Sequence, residues 1–519
     1  MANREIAEKF ARFKGKRALV MGLGLWQGGV EAVKFLHRWG ASEILVTDLR
    51  DEKTLAPSLE AIKHIPVTLR LGEHREADFA RAQVVIHSPA VRPDNKFLVA
   101  AREAGAEVTQ EMSLFIEACP AKTVGITGSN GKTTTTLLCY EMLCEVCKRA
   151  QPELENKWAD PVANPPTKGP RVWLGGNVGT PLINRLEEIS KDDVVVLELS
   201  SFQLMDWHRI KKSCDVALIT NITPNHLDWH KDFAEYVWAK SAVYRYGSSD
   251  WVLFNQNGAG LSELAMERIE QGSALFTYRT ESTKMWQWRD GGGQPKWLLD
   301  GENGRIEIDR HYDTADRDNV FPLARVDLRL PGDFNWSNAV GAIGVCLGVV
   351  QSPKKVKAFC PAGIRRFRGV EHRLELCGSI NDARIYNDSI ATDPAATLAA
   401  LSAFERGIHL VLGGGSKKIS YARLGKRIAT HGGIKAIYLQ GATAPAIKAA
   451  IGAASVPVHD CATFDEACER AFKSLMPGDV LLMSPASTSF YEYAPGKKFA
   501  NFEERGKHFK ALVAKYSNA

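Results

Sequence analysis

No apolar stretch in this chain approaches the ~18 residues that a membrane-spanning helix needs, which excludes helical membrane insertion. Charge of one sign is not in excess: 66 Lys and Arg stand against 60 Asp and Glu, and the basic residues form no run. A nucleic-acid partner is therefore not expected. Ten cysteines are scattered, mostly in apolar segments such as those around Cys139, Cys346 and Cys468. Cys144-x-x-Cys147 has no second CxxC and lies at helical spacing, so reduced structural thiols are expected rather than a metal or redox site. The charged start, Met1 to Lys9, lacks a signal-peptide core, and no repeat of solenoid period is present, so a cytoplasmic location is expected. What remains is an ordinary globular composition spread over 519 residues, too many for one core.

What the chain does have is Thr127-Gly-Ser-Asn-Gly-Lys-Thr-Thr134 after the apolar run Lys122–Ile126. This reads as a strand, a glycine-rich turn and a helix that starts near Lys132. Such a turn aims backbone N–H groups inward beside a positive helix end, making a cradle for a polyphosphate. Lys132 would reach the outer phosphates and Thr133 would ligate Mg²⁺. Ile126 stands where the strict G-x4-G-K-[ST] pattern has its first glycine, so the loop is short. A chance G-x-x-G-K-T is the competing reading; the strand before it and the apolar helix after it (Leu137, Leu138, Tyr140, Met142, Leu143) weigh against chance.

Upstream, Arg17–Met21 reads as a buried strand, followed by a glycine-rich turn, a helix over roughly Val30–Trp39, and a strand Glu43–Thr47 ending at Asp48. Gly22-x-Gly24 with Asp48 resembles a dinucleotide fingerprint, but Gln27 occupies the third glycine's slot, with Gly28 and Gly29 after it. A nucleotide or nucleotide-sugar site is expected here. A strand at Val84–His87 completes this small α/β unit near residue 112. Beyond the phosphate loop, strands are expected at Asp193–Glu198 and Val216–Thr220, a helix near 336–350 and a linking helix at Lys354–Phe367. A third α/β unit follows from His372, with strands at Arg384–Tyr386, His409–Leu412, Ala436–Leu439 and Val480–Met483. Two polar segments, roughly 150–170 and 280–318, read as surface excursions.

Three residues near strand ends carry chemistry. Glu198 closes an apolar strand, where α/β sheets place ligands, and suits Mg²⁺ coordination; a solvated loop acid is the alternative. His226, in Thr220-Asn-Ile-Thr-Pro-Asn-His, suits a metal or a substrate, although a lone histidine is more often structural. Lys240, in Tyr236-Val-Trp-Ala-Lys, would lose its charge if buried and so become open to carbamylation by CO₂. Taken alone, Lys240 is better explained as a surface lysine.

These segments, with Gly175-Gly-Asn-Val-Gly179, Gly332-Asp-Phe-Asn335-Trp-Ser-Asn338, His372-Arg373, Tyr386-Asn-Asp388-Ser-Ile-Ala-Thr392 and Gly413-Gly-Gly-Ser-Lys417, resemble the Mur ligases in order and spacing. Gly22-Leu-Gly-Leu25, Ser484–Ser489 and Asn501-Phe-Glu-Glu-Arg-Gly506 are similar to the branch that joins D-glutamate to UDP-N-acetylmuramoyl-L-alanine. The resemblance implies an α/β fold of three domains: a Rossmann-like nucleotide-sugar domain (1–112), a central P-loop ATPase-type domain (113–369) and a Rossmann-like C-terminal domain (370–519). It implies a monomeric, ATP-dependent amide ligase acting through an acyl phosphate in peptidoglycan precursor synthesis, with two Mg²⁺ sites.

By the same resemblance, ATP is held by Gly128, Ser129, Asn130, Gly131, Lys132, Thr133 and Thr134, with Asn335, Arg373 and Asp388. Thr133 and Glu198 hold one Mg²⁺; His226 and carbamylated Lys240 help hold the other. Leu25, Trp26, Asp48, Arg50 and Asn177 face the UDP substrate, and Thr392, Lys417, Ser489 and Phe502 form the glutamate pocket. Three departures bear on that pocket and on the metal site. Ile390 stands where the family often has a lysine; Asn225 replaces the usual acid before His226; and 490–498 is a longer link carrying Lys497 and Lys498. Alternatives are a related ligase using L-glutamate or another amino acid, and a non-catalytic nucleotide-sugar-binding relative.

Overall fold

The structure, a computed structural model, describes residues 2–25, 27–149, 170–246, 251–270, 275–281, 296–301, 304–308, 320–416, 419–452, 456–494 and 496–517. Trp26, Lys417, Lys418 and nearly all of the 150–170 segment lie outside them. By packing, the chain divides into two compact units, 1–325 with 337–364 and 326–336 with 365–519.

The first unit holds two sheets. Strands β1 (Arg17–Met21), β2 (Glu43–Asp48), β3 (Thr68–Leu71), β4 (Val84–His87) and β5 (Glu107–Thr109) form a parallel sheet of order β3-β2-β1-β4-β5. This is the doubly wound order, with β1 central and its glycine turn at the carboxyl edge. The turn refines the fingerprint: a Cβ on Gly29 would lie 2.3 Å from the Leu23 carbonyl oxygen, so Gly29 takes the close-packing place that Gln27 cannot.

The second sheet comprises β6 (Lys122–Thr127), β7 (Val172–Gly176), β8 (Val194–Glu198), β9 (Val216–Ile219), β10 (Trp251–Asn255), β11 (Phe276–Arg279), β12 (Lys296–Asp300), β13 (Arg305–Ile308) and β14 (Val320–Ala324). Their order is β14-β13-β12-β11-β10-β9-β6-β8-β7, parallel from β12 to β7 and antiparallel at the β13 and β14 edge. Parallel strands are covered on both faces, and so β8 (Val-Val-Val-Leu-Glu) and β9 (Val-Ala-Leu-Ile) are buried throughout. The expected surface excursion at 280–318 is corrected over its described part, which contributes β12 and β13 with Leu299 and Ile306 buried; residues 282–295, 302–303 and 309–319 lie outside the described residues. Helices Lys132–Arg149 and Asp333–Val350 match the expected ones, each starting at or before the expected residue.

The second unit carries a six-stranded sheet: β15 (Glu375–Ile380), β16 (Ala383–Asn387), β17 (Ile408–Gly413), β18 (Ile434–Gln440), β19 (Val458–Asp460) and β20 (Val480–Met483), in the order β15-β16-β20-β17-β18-β19. Only β15 is antiparallel. Apolar clusters cover both faces, one around Leu410, Leu412 and Leu439, the other around Val411, Leu481 and Phe509.

Candidate active site

The carboxyl ends of β6, β8 and β9 meet at the phosphate loop. Gly128 and Gly131 have φ of +144° and +84°, and added Cβ atoms would lie 2.0 Å from Thr220 Oγ1 and 2.4 Å from Asn338 Oδ1. Only glycine meets both the dihedral and the space requirement. The loop is fastened to the segment after β9. Ser129 N donates to the Asn221 carbonyl (2.8 Å), Asn130 N to Asn221 Oδ1 (3.1 Å), and Asn221 Nδ2 and Thr220 Oγ1 donate to the Asn130 carbonyl (3.0 and 2.6 Å). Lys132 Nζ donates to the Gly128 and Ser129 carbonyls, 3.0 Å from each. Thr133 stands partly exposed in the first turn of the helix, and Thr134 beside it is buried.

Glu198 ends β8 and is 2 % exposed. Its Oε1 accepts a hydrogen bond from Asn177 Nδ2 (3.1 Å), while its buried Oε2 has no hydrogen-bond partner among the described residues. The next turn is fixed by a capping box: Gln203 N donates to Ser200 Oγ and Ser200 N to Gln203 Oε1, so half of the Glu198–Gln203 motif is helix-start chemistry. Asn177 is exposed, its backbone N–H tied to the Glu198 carbonyl at 2.8 Å.

Asp232 caps the helix Phe233–Arg245, which carries Tyr236 and Lys240 one turn apart on its buried side. The surface reading of Lys240 is overturned: it is 2 % exposed, its Nζ donating to Thr127 Oγ1 (3.3 Å) and lying 4.7 Å from the Tyr236 ring centroid. Burial, with the charge of Lys132, drives its pKa well below the ordinary lysine range, against the pull of Glu198. Tyr236, given no role from sequence, meets Ser129 Oγ at 2.9 Å and so links this helix to the phosphate loop. Its signal was the four-residue spacing to Lys240.

His226 is exposed, has φ +54°, and packs edge-on against Phe202 at 5.0 Å. Partial burial and the charge of Lys132 lower its pKa, against the pull of Asp228, so its imidazole is neutral and keeps a lone pair. Lys132, Glu198, His226 and Lys240 thus share one electrostatic neighbourhood.

In the first sheet, Asp48 is buried and spends both oxygens on backbone: Oδ2 accepts from Gly24 N (3.0 Å) and Oδ1 from Arg50 N (2.9 Å). It shapes the glycine turn, while Leu25 and the side chain of Arg50 stay exposed beside it.

In the second unit, Asp388 follows β16. Its Oδ1 accepts from Leu374 N (3.2 Å) and its Oδ2 from Ser484 Oγ (2.7 Å), and burial lifts its pKa to about 7. Arg373 is partly exposed with a buried Nε. Asn335 Nδ2 donates to the Pro331 carbonyl (2.7 Å). Thr392 and Phe502 are partly exposed and Ser489 is buried. Arg505, which sequence reasoning passed over inside Asn501–Gly506, is fully buried. Its Nε donates to Ser389 Oγ (3.0 Å), Nη1 to the Ser487 carbonyl (3.1 Å) and Nη2 to the Ser389 carbonyl (2.8 Å). Within the 490–498 link, β21 (Glu492–Ala494) pairs antiparallel with β22 (Lys497–Lys498), and both lysines are exposed.

A P-loop on a parallel sheet, with a half-satisfied carboxylate at the next strand end and Rossmann-type sheets before and after it in sequence, defines a nucleotide-binding α/β protein of three domains. Three family patterns match in series: "Mur ligase MurD-like, N-terminal domain" over residues 16–110, "Mur ligase middle domain" over 126–346, and "Mur ligase, glutamate ligase domain" over 372–487. The UDP-N-acetylmuramoylalanine--D-glutamate ligase of Acetivibrio thermocellus is 35% identical over 514 residues, covering 97% of both chains. Its namesake from a Roseiflexus species is 34% identical over 517 residues, covering 97% of this chain and 99% of its own. Among solved structures, the UDP-N-acetylmuramate-alanine ligase MurC of Thermotoga maritima superposes with a TM-score of 0.53 at 16% identity, covering 97% of this chain and 99% of its own. MurF of the same organism, solved in complex with ADP, gives 0.51 at 14% identity, covering 98% and 96%. The chain belongs to the Mur ligase family.

Proposed function

We propose that this chain is an ATP-dependent ligase that joins D-glutamate to UDP-N-acetylmuramoyl-L-alanine in the cytoplasm, working as a monomer with domain limits at 112 and 369. The observation that carries the site reading is Glu198 Oε2, a buried carboxylate oxygen beside the phosphate loop with no hydrogen-bond partner among the described residues. Such an atom is costly unless something charged comes to it.

Mg²⁺ fits there. Mg²⁺ is a hard cation that takes oxygen ligands and is commonly held by one or two carboxylates plus substrate phosphates, and the Glu198 carboxylate stands in such a setting beside the phosphate loop that carries the Thr133 hydroxyl. Thr133 and Glu198 would hold one ion; His226 and Lys240, once carbamylated, would hold a second. Bound there, the ions would neutralise charge between the nucleotide and the acceptor carboxylate. The chain's residues do the remainder. The amides of Gly128–Thr134 take the β- and γ-phosphates, and Lys132 turns from its carbonyl contacts to the transferring phosphoryl group. The acceptor carboxylate attacks that phosphorus, ADP leaves, and the glutamate amine then displaces phosphate from the acyl phosphate, forming the amide and losing a proton. Asn335, Arg373 and Asp388 serve ATP; Leu25, Asp48, Arg50 and Asn177 serve the UDP substrate, with Trp26 assigned there on sequence alone. Thr392, Ser489 and Phe502, together with Lys417 on sequence alone, form the amino-acid pocket.

The test is phosphate release from ATP with UDP-N-acetylmuramoyl-L-alanine and a panel of D- and L-amino acids. Release that requires the acceptor and prefers D-glutamate is expected, and Lys132→Ala should abolish it. Preference for another amino acid would overturn the substrate assignment, and full turnover by Lys132→Ala would overturn the mechanism.

A further inference from the structure

The turn after β4, Ser88–Arg92, is bound to the segment that carries His226, and both lie in the first unit. Trp229 Nε1 donates to the Ala90 carbonyl at 2.8 Å. Arg92 lies over the Trp229 indole, 5.0 Å from the ring centroid, and its Nη1 donates to the Trp229 carbonyl. The same guanidinium grips Glu235 in a fork, Nη1 to Oε2 at 3.1 Å and Nη2 to Oε1 at 3.3 Å, while Asp94 takes its Nε at 2.9 Å. Glu235 Oε2 also accepts from Lys231 N (2.8 Å).

The contacts continue in both directions. Trp229 packs on Phe202 at 4.6 Å, and Phe202 meets His226 at 5.0 Å and His230 at 5.9 Å. His230 is held by Ser201 Oγ at 2.9 Å, in the helix that starts just after Glu198. On the other side, Ser88 N donates to the Met21 carbonyl (2.8 Å), and Ser88 Cβ lies 3.0 Å from where a Cβ on Gly22 would stand. The glycine turn expected to meet the nucleotide sugar is thereby connected to His226 through a short series of packed groups. Arg92 is the only residue of that series whose one side chain bonds to both the Trp229 backbone and the Glu235 carboxylate.

We propose that Arg92 is a positioning residue, clamping Trp229 and Glu235 so that occupation of the first domain's glycine turn fixes the His226 loop for reaction. The proposal rests on the ligase reading for its kinetic consequences and on the geometry for its physical ones. The fork requires arginine: lysine would retain the charge but lose the paired donors and the stacking.

The experiment has two parts. In steady-state kinetics, Arg92→Met should raise the acceptor KM and lower kcat, each by on the order of tenfold, with the amino-acid KM changed less than about twofold. Arg92→Lys should fall between it and the parent. Glu235→Gln combined with Arg92→Met should be no worse than Arg92→Met alone. Hydrogen exchange over residues 223–232 supplies the second part, using UDP alone as the probe. UDP should slow exchange in the parent and fail to do so in Arg92→Met. If Arg92→Met does not fold, Trp229→Phe, which keeps the ring but loses the bond to Ala90, should blunt the same response. Equal protection by UDP in parent and variant, or parental kcat and acceptor KM in Arg92→Met, would overturn the clamp. A parent that releases no phosphate fails the ligase reading instead, and the exchange measurement still decides the clamp.

Discussion

Lys240 Nζ and Thr127 Oγ1 lie 3.3 Å apart, joining the helix Phe233–Arg245 to the last residue of β6 at the entrance to the phosphate loop. A buried amine held by a neutral hydroxyl, repelled by Lys132 and drawn only weakly by Glu198, favours its uncharged form. That is the form that reacts with CO₂. In CO₂-free buffer, phosphate release by the parent should fall and return when bicarbonate is added. Lys240→Ala should lose on the order of 100-fold or more and gain nothing from bicarbonate. A fully active Lys240→Ala in CO₂-free buffer would remove the carbamate from the mechanism.

The phosphate loop makes a steric prediction. A Cβ at Gly131 would stand 2.4 Å from Asn338 Oδ1 at a φ of +84°, so Gly131→Ala meets both a clash and a strained backbone. The expected cost is about 1–3 kcal/mol in urea unfolding, with weakened binding of an ATP analogue by calorimetry. Gly131→Ala with Asn338→Ala should recover part of the stability by clearing the space. No recovery would mean that strain at φ, rather than the Asn338 contact, carries the cost.

Asp388 predicts a pH dependence with a definite sign. Its folded pKa stands at about 7 against an ordinary 3.8, raised by burial, so between those values the folded chain holds a proton that the unfolded chain has released. The stabilisation from that proton is complete below the unfolded pKa and is lost as pH rises through about 7. Asp388→Asn cannot ionise and escapes this loss. Measured by urea unfolding at about pH 5 and about pH 8, stability of Asp388→Asn minus that of the parent should be larger at the higher pH. A difference that does not change with pH would mean that Asp388 is not protonated in the fold.

Much of this fold was legible because parallel strands buried on both faces leave unbroken apolar runs, as in Val194–Leu197 and Val480–Met483. The strands at Lys296–Asp300 and Arg305–Ile308 were not, since they sit among polar and glycine-rich residues and are ordered by pairing with β11 and β14. At the site, Glu198 was legible from its place at a strand end. Lys240 entered the site by resemblance alone; its burial was not legible, because it depends on Thr127 and Tyr236 closing over it, a tertiary fact that helical spacing alone does not reveal. Asp48 reads from sequence as a ligand contact, and the fold adds that it accepts from the Gly24 and Arg50 backbone N–H groups, since a fingerprint does not show which acid also shapes the loop.

Arg505 extends that lesson to the amino-acid pocket. Ile390 removes a cation the family often has, yet a guanidinium is buried one residue away in space, bonded to both the backbone and the hydroxyl of Ser389 and to the Ser487 carbonyl. Burial pushes its pKa down to about 10, which leaves it charged at neutral pH. Arg505→Met would leave the Ser389 and Ser487 carbonyls buried without donors, at about 1–3 kcal/mol for each. Those two residues flank Ile390 and Thr488–Ser489, so loosening them should raise the KM for the amino acid several-fold while the ATP KM stays within about twofold. Arg505→Lys, with one donor group in place of a fork, should restore charge without restoring the KM. If Arg505→Lys recovers the parental KM, Arg505 acts through its charge alone, as a buried substitute for the lysine that Ile390 replaces. If it does not, the guanidinium works by holding Ser389 and Ser487 in place.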